Sequence, residues 1–180
     1  MHLSVKPLVS ASAIRRIVSH LAHVINCEYE GRELHLLVVL KGSVIFAADL
    51  MRQLDMDVRL NFIRARSYDG RTSTGSVEFT LLPESSLQGK HVLVVEDILD
   101  TGRTCAAILK WVRAQSPASV AVCTLLDKPE RRVKRLKADY AGLVIPDHFV
   151  VGYGLDYNER YRRLPEIYAL ECDPPKSSPA

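Results

Sequence analysis

HVLVVEDILDTGRT, residues 91–104, begins as a near-continuous apolar run and ends in a polar turn. Runs of this kind form buried parallel strands, whose two faces are both covered. The strand is expected to stop at Glu96-Asp97 and a helix to begin near Arg103. Between them lie Asp100, Thr101, Gly102 and Thr104, a turn at the carboxyl end of a strand, where open α/β sheets bind ligands. Gly102 permits close backbone approach, the Thr101 and Thr104 hydroxyls can donate, and the helix start adds partial positive charge, which together suit a phosphate monoester. A nucleotide-triphosphate loop is excluded, because Arg103 precedes the threonine and a single glycine is present; a dinucleotide fingerprint fails for want of spaced glycines. Glu96, Asp97 and Asp100 beside a phosphate repel it and one another unless a cation or hydroxyl donors intervene, which magnesium or ribose hydroxyls supply. A plainer reading is a solvated acidic turn capping the next helix, with Asp100 or Thr101 as N-cap.

Outward from this turn, strand and helix patterns alternate. Apolar spacing predicts an amphipathic helix over 11–29, a strand over 34–40 ending at Lys41-Gly42, and a helix over 43–54. Residues 58–68 alternate as a strand, 69–76 (DGRTSTGS) read as a mobile surface loop, and VEFTLL follows as a strand. After the turn come the helix RTCAAILKWVRAQ and the buried strand SVAVCTLLD. The alternation implies an α/β fold, a mainly parallel twisted sheet with helices on both faces. Residues 138–170 hold short apolar pieces broken by Pro146, Gly152 and Gly154, and read as a small hood lobe. The expected organisation is a single domain over 1–172, with a core at about 30–135 and a hood from the N-terminus and about 138–170; residues 173–180 are expected to be a disordered tail.

Bulk composition narrows the function. With 180 residues the chain can bury a core without staples. The net charge of +3, from 24 basic and 21 acidic residues, is too small to argue for nucleic acid or a membrane surface, yet suits an anionic small molecule. Cys27, Cys105, Cys123 and Cys172 show no zinc or redox spacing. The N-terminus lacks a signal-peptide apolar stretch, and no segment has the length and apolarity to span a bilayer, so a cytoplasmic location is expected.

The 91–104 string closely resembles the phosphoribosyl-pyrophosphate (PRPP) motif of the type I phosphoribosyltransferases, and the chain as a whole resembles their hypoxanthine-guanine branch. The likeness runs from LHLLVVLKGS through RARSYDGRTSTG and LLDKPERR to IPDHFVVGYGLDYNERYR, in order. It implies the type I phosphoribosyltransferase fold and transfer of a 5-phosphoribosyl group from PRPP to a 6-oxopurine, with magnesium as cofactor. A nucleoside monophosphate and pyrophosphate would be the products, and a homodimer or homotetramer the assembly.

By that resemblance, Glu96 and Asp97 contact ribose hydroxyls directly or through magnesium, and Asp100 takes a proton from the purine as general base. Asp100, Thr101, Gly102, Arg103 and Thr104 hold the sugar phosphate. Lys41-Gly42 matches the pyrophosphate loop, where a cis non-proline peptide is implied; Ser43 stands where many relatives carry glycine. Lys128, which offers donors and no acceptor, favours a 6-oxo over a 6-amino group. Phe149 stacks on the purine, the Val150 backbone pairs with its edge, Asp156 adjoins the base and approaches a second magnesium, and Arg162 grips pyrophosphate. His148 departs from a common lysine. Ser67 and Tyr68 open a flap that excludes water. The residues alone leave other readings open: an exposed Lys41, a turn lysine at 128, a hood-core Phe149, and a solvated basic face around Arg162. A non-catalytic PRPP-binding regulator is the rival of another class; no contiguous basic run beyond PERRVKR supports it.

Overall fold

The computed structural model describes residues 2–4, 6–67 and 77–171. Its main sheet has six strands in the order β4-β3-β2-β5-β6-β7. They are β2 (Leu34–Val39), β3 (Val58–Ser67), β4 (Val77–Leu81), β5 (His91–Leu99), β6 (Ser119–Asp127) and β7 (Tyr140–Val144). All neighbours are parallel except β3 and β4. The central strands β2, β5 and β6 are mostly apolar because both faces are covered. Leu36, Val38, Leu93, Val95 and Cys123 face α1 (Ala11–Glu28) and α2 (Val44–Met51), whereas Leu37, Val92, Val94 and Val122 face α3 (Arg103–Ala114). This is the mainly parallel sheet with helices on both faces expected from the alternation.

Each helix buries one stripe. In α1 that stripe is Ile14, Val18, Leu21, Ala22 and Ile25, and Ser10 caps the first turn by accepting from Ala13 N at 3.3 Å. Fully burying one such aliphatic side chain stabilises by about 1.5–3 kcal/mol. In α3 it is Cys105, Ile108, Leu109 and Val112.

A second sheet, order β1-β9-β8, joins β1 (His2–Leu3), β8 (Val150–Val151) and β9 (Tyr168–Glu171), all antiparallel. The segments flanking β8 meet the carboxyl ends of β2 and β6, with Gly154 against the Gly42 carbonyl and the His148 carbonyl accepting from Lys128. Two boundaries differ from expectation. The segment 138–170 is divided, because β7 pairs in parallel with β6 and extends the main sheet. Strand β5 also runs past Glu96-Asp97 to Leu99, with Ile98 opposite Leu126 and Leu99 opposite Asp127. The 69–76 loop and the 173–180 tail lie outside the described residues. Among the described residues no helix is long and apolar enough to cross a membrane.

Candidate active site

The turn between β5 and α3 is tied down from behind. The Leu99 carbonyl accepts from Lys128 N at 3.0 Å and Arg132 Nη2 at 2.9 Å, the Asp100 carbonyl from Arg132 Nε at 2.8 Å. The Thr101 carbonyl accepts from Val133 N at 3.0 Å and Lys134 N at 3.1 Å. Arg132 also pairs with Asp127 and donates to the Leu136 carbonyl. With its carbonyls engaged on one side, the turn offers its other side and the α3 N-terminus to an anion. The N-cap is Gly102, at φ +77° and without a side-chain cap bond, rather than Asp100 or Thr101. A Cβ there would come within 3.0 Å of the Arg132 side chain. Thr101 Oγ1 accepts from Arg103 N at 3.4 Å, and Thr104 lies in the first turn of α3.

Strand alternation sends Glu96 and Asp97 to opposite faces. Glu96 lies towards α3, hydrogen-bonded to Cys105; burial pushes its carboxyl up to about 8, the Asp97 charge adds to this, and Arg132 offsets it. The same burial pushes the Cys105 thiol up. Asp97 faces the Leu40–Gly42 loop. Burial raises its carboxyl to about 6, against a hydrogen bond accepted from Ile98 N at 3.0 Å. Arg162 lowers the Asp97 value and Asp156 raises it, so these three share one electrostatic neighbourhood.

The Leu40–Gly42 loop and the hood stack on Asp97. The cis non-proline bond is Leu40-Lys41, one residue before the expected position. A Cβ on Gly42 would overlap Asp97 Oδ2, and one on Gly154 (φ +99°) would overlap the Gly42 carbonyl, so both positions require glycine. Ser43 is buried, with its hydroxyl satisfied by the Val39 carbonyl, which explains why this loop accepts serine. Arg162 donates to the Gly154 carbonyl at 2.8 Å and pairs with Asp156 at 2.8 Å and Glu159 at 3.1 Å; Lys41 Nζ donates to Glu159 at 3.0 Å. Hydrogen bonds first from Lys41 and then from Arg162 hold the Glu159 carboxyl below its usual range. Tyr153 hydroxyl donates to Asp49 Oδ2 at 2.6 Å, linking the hood to α2.

At the other end, Lys128 is only 5% exposed and its ammonium donates to the His148 carbonyl, with Asp147 3.8 Å away. It is therefore no solvated turn lysine. The adjoining Phe149 is 54% exposed, so it is no hood-core residue either; its ring meets Tyr157 edge-on at 5.7 Å. Val150 is buried in β8. Arg131 joins the two ends, with Nε 3.1 Å from Asp100 Oδ1 and Nη1 donating to Asp147 at 3.3 Å. The Asp100 contact is off-axis, and Oδ1 makes no hydrogen bond.

Among the described residues, the buried side-chain polar atoms without a hydrogen-bond partner are Arg64 Nε, Glu96 Oε2, Asp100 Oδ1 and Arg162 Nε. Three of the four belong to this site, where carboxylate oxygens want a cation or hydroxyl donor and a guanidinium wants an anion. The described residues hold no group of three His, Cys, Asp or Glu side chains disposed to bind a metal, so Glu96, Asp97 and Asp156 are not a ready cage. Asp97 and Asp156 fit magnesium better, since that ion is commonly held by one or two carboxylates plus substrate phosphate oxygens.

Ser67 closes β3, and Tyr68, expected with it to open a flap, lies outside the described residues. Arg131, Arg132, Tyr153, Asp49 and Glu159 escaped the sequence reading. Arg131 and Arg132 were visible only as part of a basic run, and nothing in the sequence pairs Tyr153 with Asp49.

The sequence pattern of the phosphoribosyl transferase domain family matches residues 4–158. Over 175 residues the chain is 42% identical to the hypoxanthine-guanine phosphoribosyltransferase of Staphylococcus epidermidis, covering 96% of this chain and 98% of that one. The Lactococcus lactis enzyme of the same name is 42% identical over 167 residues, 92% of this chain and 91% of its own. A crystal structure of a hypoxanthine-guanine phosphoribosyltransferase from Bacillus anthracis superposes with a TM-score of 0.90 at 42% identity, covering 94% of this chain and all of that one. Fold, site and sequence agree: the chain belongs to the phosphoribosyltransferase family.

Proposed function

We propose that this protein transfers the 5-phosphoribosyl group of PRPP to a 6-oxopurine, hypoxanthine or guanine, giving IMP or GMP and releasing pyrophosphate. This is purine salvage, carried out in the cytoplasm by a magnesium-dependent enzyme. The observation that carries the reading is that buried polar atoms without a hydrogen bond gather at the carboxyl end of the sheet: Glu96 Oε2, Arg162 Nε, and Asp100 Oδ1, which has only an off-axis Arg131 beside it.

The family resemblance, together with where the side chains lie, supports the following roles. The turn from Asp100 to Thr104 receives the ribose 5-phosphate against the start of α3. Glu96 and Asp97 accept from the ribose hydroxyls, and this relieves two carboxylates that burial has made reluctant to ionise. Lys41, the Gly42 backbone and Arg162 hold the departing pyrophosphate, and the missing Cβ at Gly42 lets Asp97 pack directly against that loop. Lys128 donates to the purine 6-oxo group. An amino group there would leave its ammonium facing another donor, a mismatch that sites built for hydrogen bonding reject strongly. Phe149 offers a ring face beside it, the Val150 backbone meets the base edge, and Asp156 lies alongside. Asp100 takes the proton from the purine nitrogen as the new bond to the anomeric carbon forms. Ser67 and Tyr68 begin the flap that excludes water.

Asp97 and Asp156 would hold magnesium, which would supply charge neutralisation for the pyrophosphate. Self-association as a homodimer or homotetramer is supported by exposed Leu60, Phe62, Leu81 and Leu82 on β3, β4 and the residue after them.

The test is a pyrophosphate-release assay with magnesium, PRPP and each purine base in turn. Hypoxanthine or guanine should support turnover and adenine should not. Lys128→Ala should reduce hypoxanthine use by about 10² or more while PRPP binding changes little, as expected when a polar recognition contact is lost. Turnover with adenine but not hypoxanthine would refute the base assignment.

A further inference from the structure

Glu159 occupies the place assigned above to an anion. Its Oε1 accepts from Lys41 Nζ at 3.0 Å and its Oε2 from Arg162 Nη2 at 3.1 Å. These two cations come from different parts of the fold, the loop after β2 and the hood. The carboxylate therefore bridges the two cations, one oxygen to each, as two oxygens of a diphosphate could.

The backbone presents it there deliberately. Tyr157 and Arg160 exchange both backbone hydrogen bonds, at 3.2 and 3.0 Å, closing a two-residue hairpin. The central residues Asn158 and Glu159 have φ of +51° and +61°, the left-handed pair of a type I′ turn. Glycine fits the second of these positions with least strain, yet the chain carries glutamate. Asp156 Oδ2 anchors the turn by accepting from Glu159 N at 2.9 Å. The Glu159 side chain is 65% exposed, so packing gives no reason for it.

Support of Lys41 and Arg162 is one conceivable use, but exposed ion pairs contribute little to stability and are screened by salt. Arg162 is in any case held by the Gly154 carbonyl and Asp156 without Glu159. What the contact does change is the charge that an incoming anion meets.

We propose that Glu159 is a tethered competitor for the pyrophosphate pocket. It neutralises Lys41 and Arg162 between turnovers, yields them to the diphosphate of the arriving substrate, and reclaims them as pyrophosphate departs. The inference rests on the pyrophosphate assignment made under the proposed function. A site partly filled by its own side chain binds ligand with an affinity reduced by the fraction of time it is closed. The pocket is thereby kept from being trapped by its own product.

The test uses the Glu159→Gln and Glu159→Ala variants and titrates magnesium pyrophosphate into each by calorimetry, with pyrophosphate inhibition of the forward reaction as a second readout. Both variants should bind the probe about threefold to tenfold more tightly than the parent, the range expected from removing two exposed ion pairs. Pyrophosphate inhibition should strengthen in step, with the KM for the purine and the urea midpoint unchanged. Unchanged or weaker binding in both variants would overturn the proposal and make Glu159 a support for the two cations. A parent protein with no affinity for magnesium pyrophosphate would instead remove the pyrophosphate assignment itself, and this inference with it.

Discussion

The β5–α3 turn and the hood turn over residues 152–164 serve the same pocket but are built in opposite ways. The first is one contiguous string whose strand, turn and helix each follow from local chemistry, with Arg132 as the fastener behind it. The second has left-handed backbone at Gly152, Tyr153, Gly154, Asn158, Glu159 and Tyr161, and reaches the core through Tyr153–Asp49 and Lys41–Glu159, 104 and 118 residues apart. The half proposed to perform proton transfer is local and rigidly backed. The half proposed to admit and release the diphosphate is assembled from distant pieces, so changes there should alter binding more than chemistry.

The largest expected effect lies in the first half. Asp100→Ala should lower kcat at least about a hundredfold, the usual contribution of a general base, with PRPP affinity far less affected. Steady-state kinetics with saturating hypoxanthine check it, and an unchanged kcat would break the contrast between the two halves.

A second test concerns the same turn in the ligand-free protein. Burial raises the Glu96 carboxyl from 4.5 to about 8. Between those values the folded protein holds a proton that the unfolded chain has released, so unfolding free energy falls as pH rises through this window. Urea titrations in chelator should therefore show stability declining from pH 5 towards 8. Glu96→Gln should flatten that decline by at least about 1 kcal/mol, one pKa unit being worth about 1.4 kcal/mol. The same variant should lose activity if Glu96 meets the ribose as proposed. A pH dependence identical in parent and variant would show that Glu96 ionises as it does in water.

The smallest effect belongs to the hood. Tyr153→Phe removes only the bond to Asp49, worth about 0.5–1.5 kcal/mol. The KM for PRPP should rise severalfold, with kcat and the purine KM little changed. Equal losses on purine and PRPP would mean that the hood acts on both ends of the pocket and the contrast is too sharp.

Much of the core could be read from the amino-acid order, because β2, β5 and β6 are apolar runs and α1 and α3 carry buried stripes at helical spacing. The failures are specific. Glu96 and Asp97 interrupt the apolar run, so β5 looks finished there, yet backbone pairing with β6 continues past them through Ile98 and Leu99. The YAGLV segment is too short to declare an edge strand of the main sheet, and Gly142 fits there only because α1 and the β6 backbone press on it through Ile17 and the Leu125 carbonyl. In PERRVKR the charges look alike in sequence; which arginine turns inward depends on carbonyls 32 and 33 positions earlier in the chain. Within the site, the 91–104 string, Lys128 and Phe149 were legible as a motif, while Tyr153–Asp49 and the Glu159 bridge depend on how the hood folds back.

Strand β1, at one end of the chain, is hydrogen-bonded to β9, at the other, with His2 opposite Glu171 and Leu3 opposite Leu170. The six-stranded sheet needs nothing beyond Val144, whereas this pairing joins residues 169 positions apart (171 minus 2). Contacts of such long sequence range are entropically costly and slow to form, so the three-stranded sheet should close after the six-stranded one.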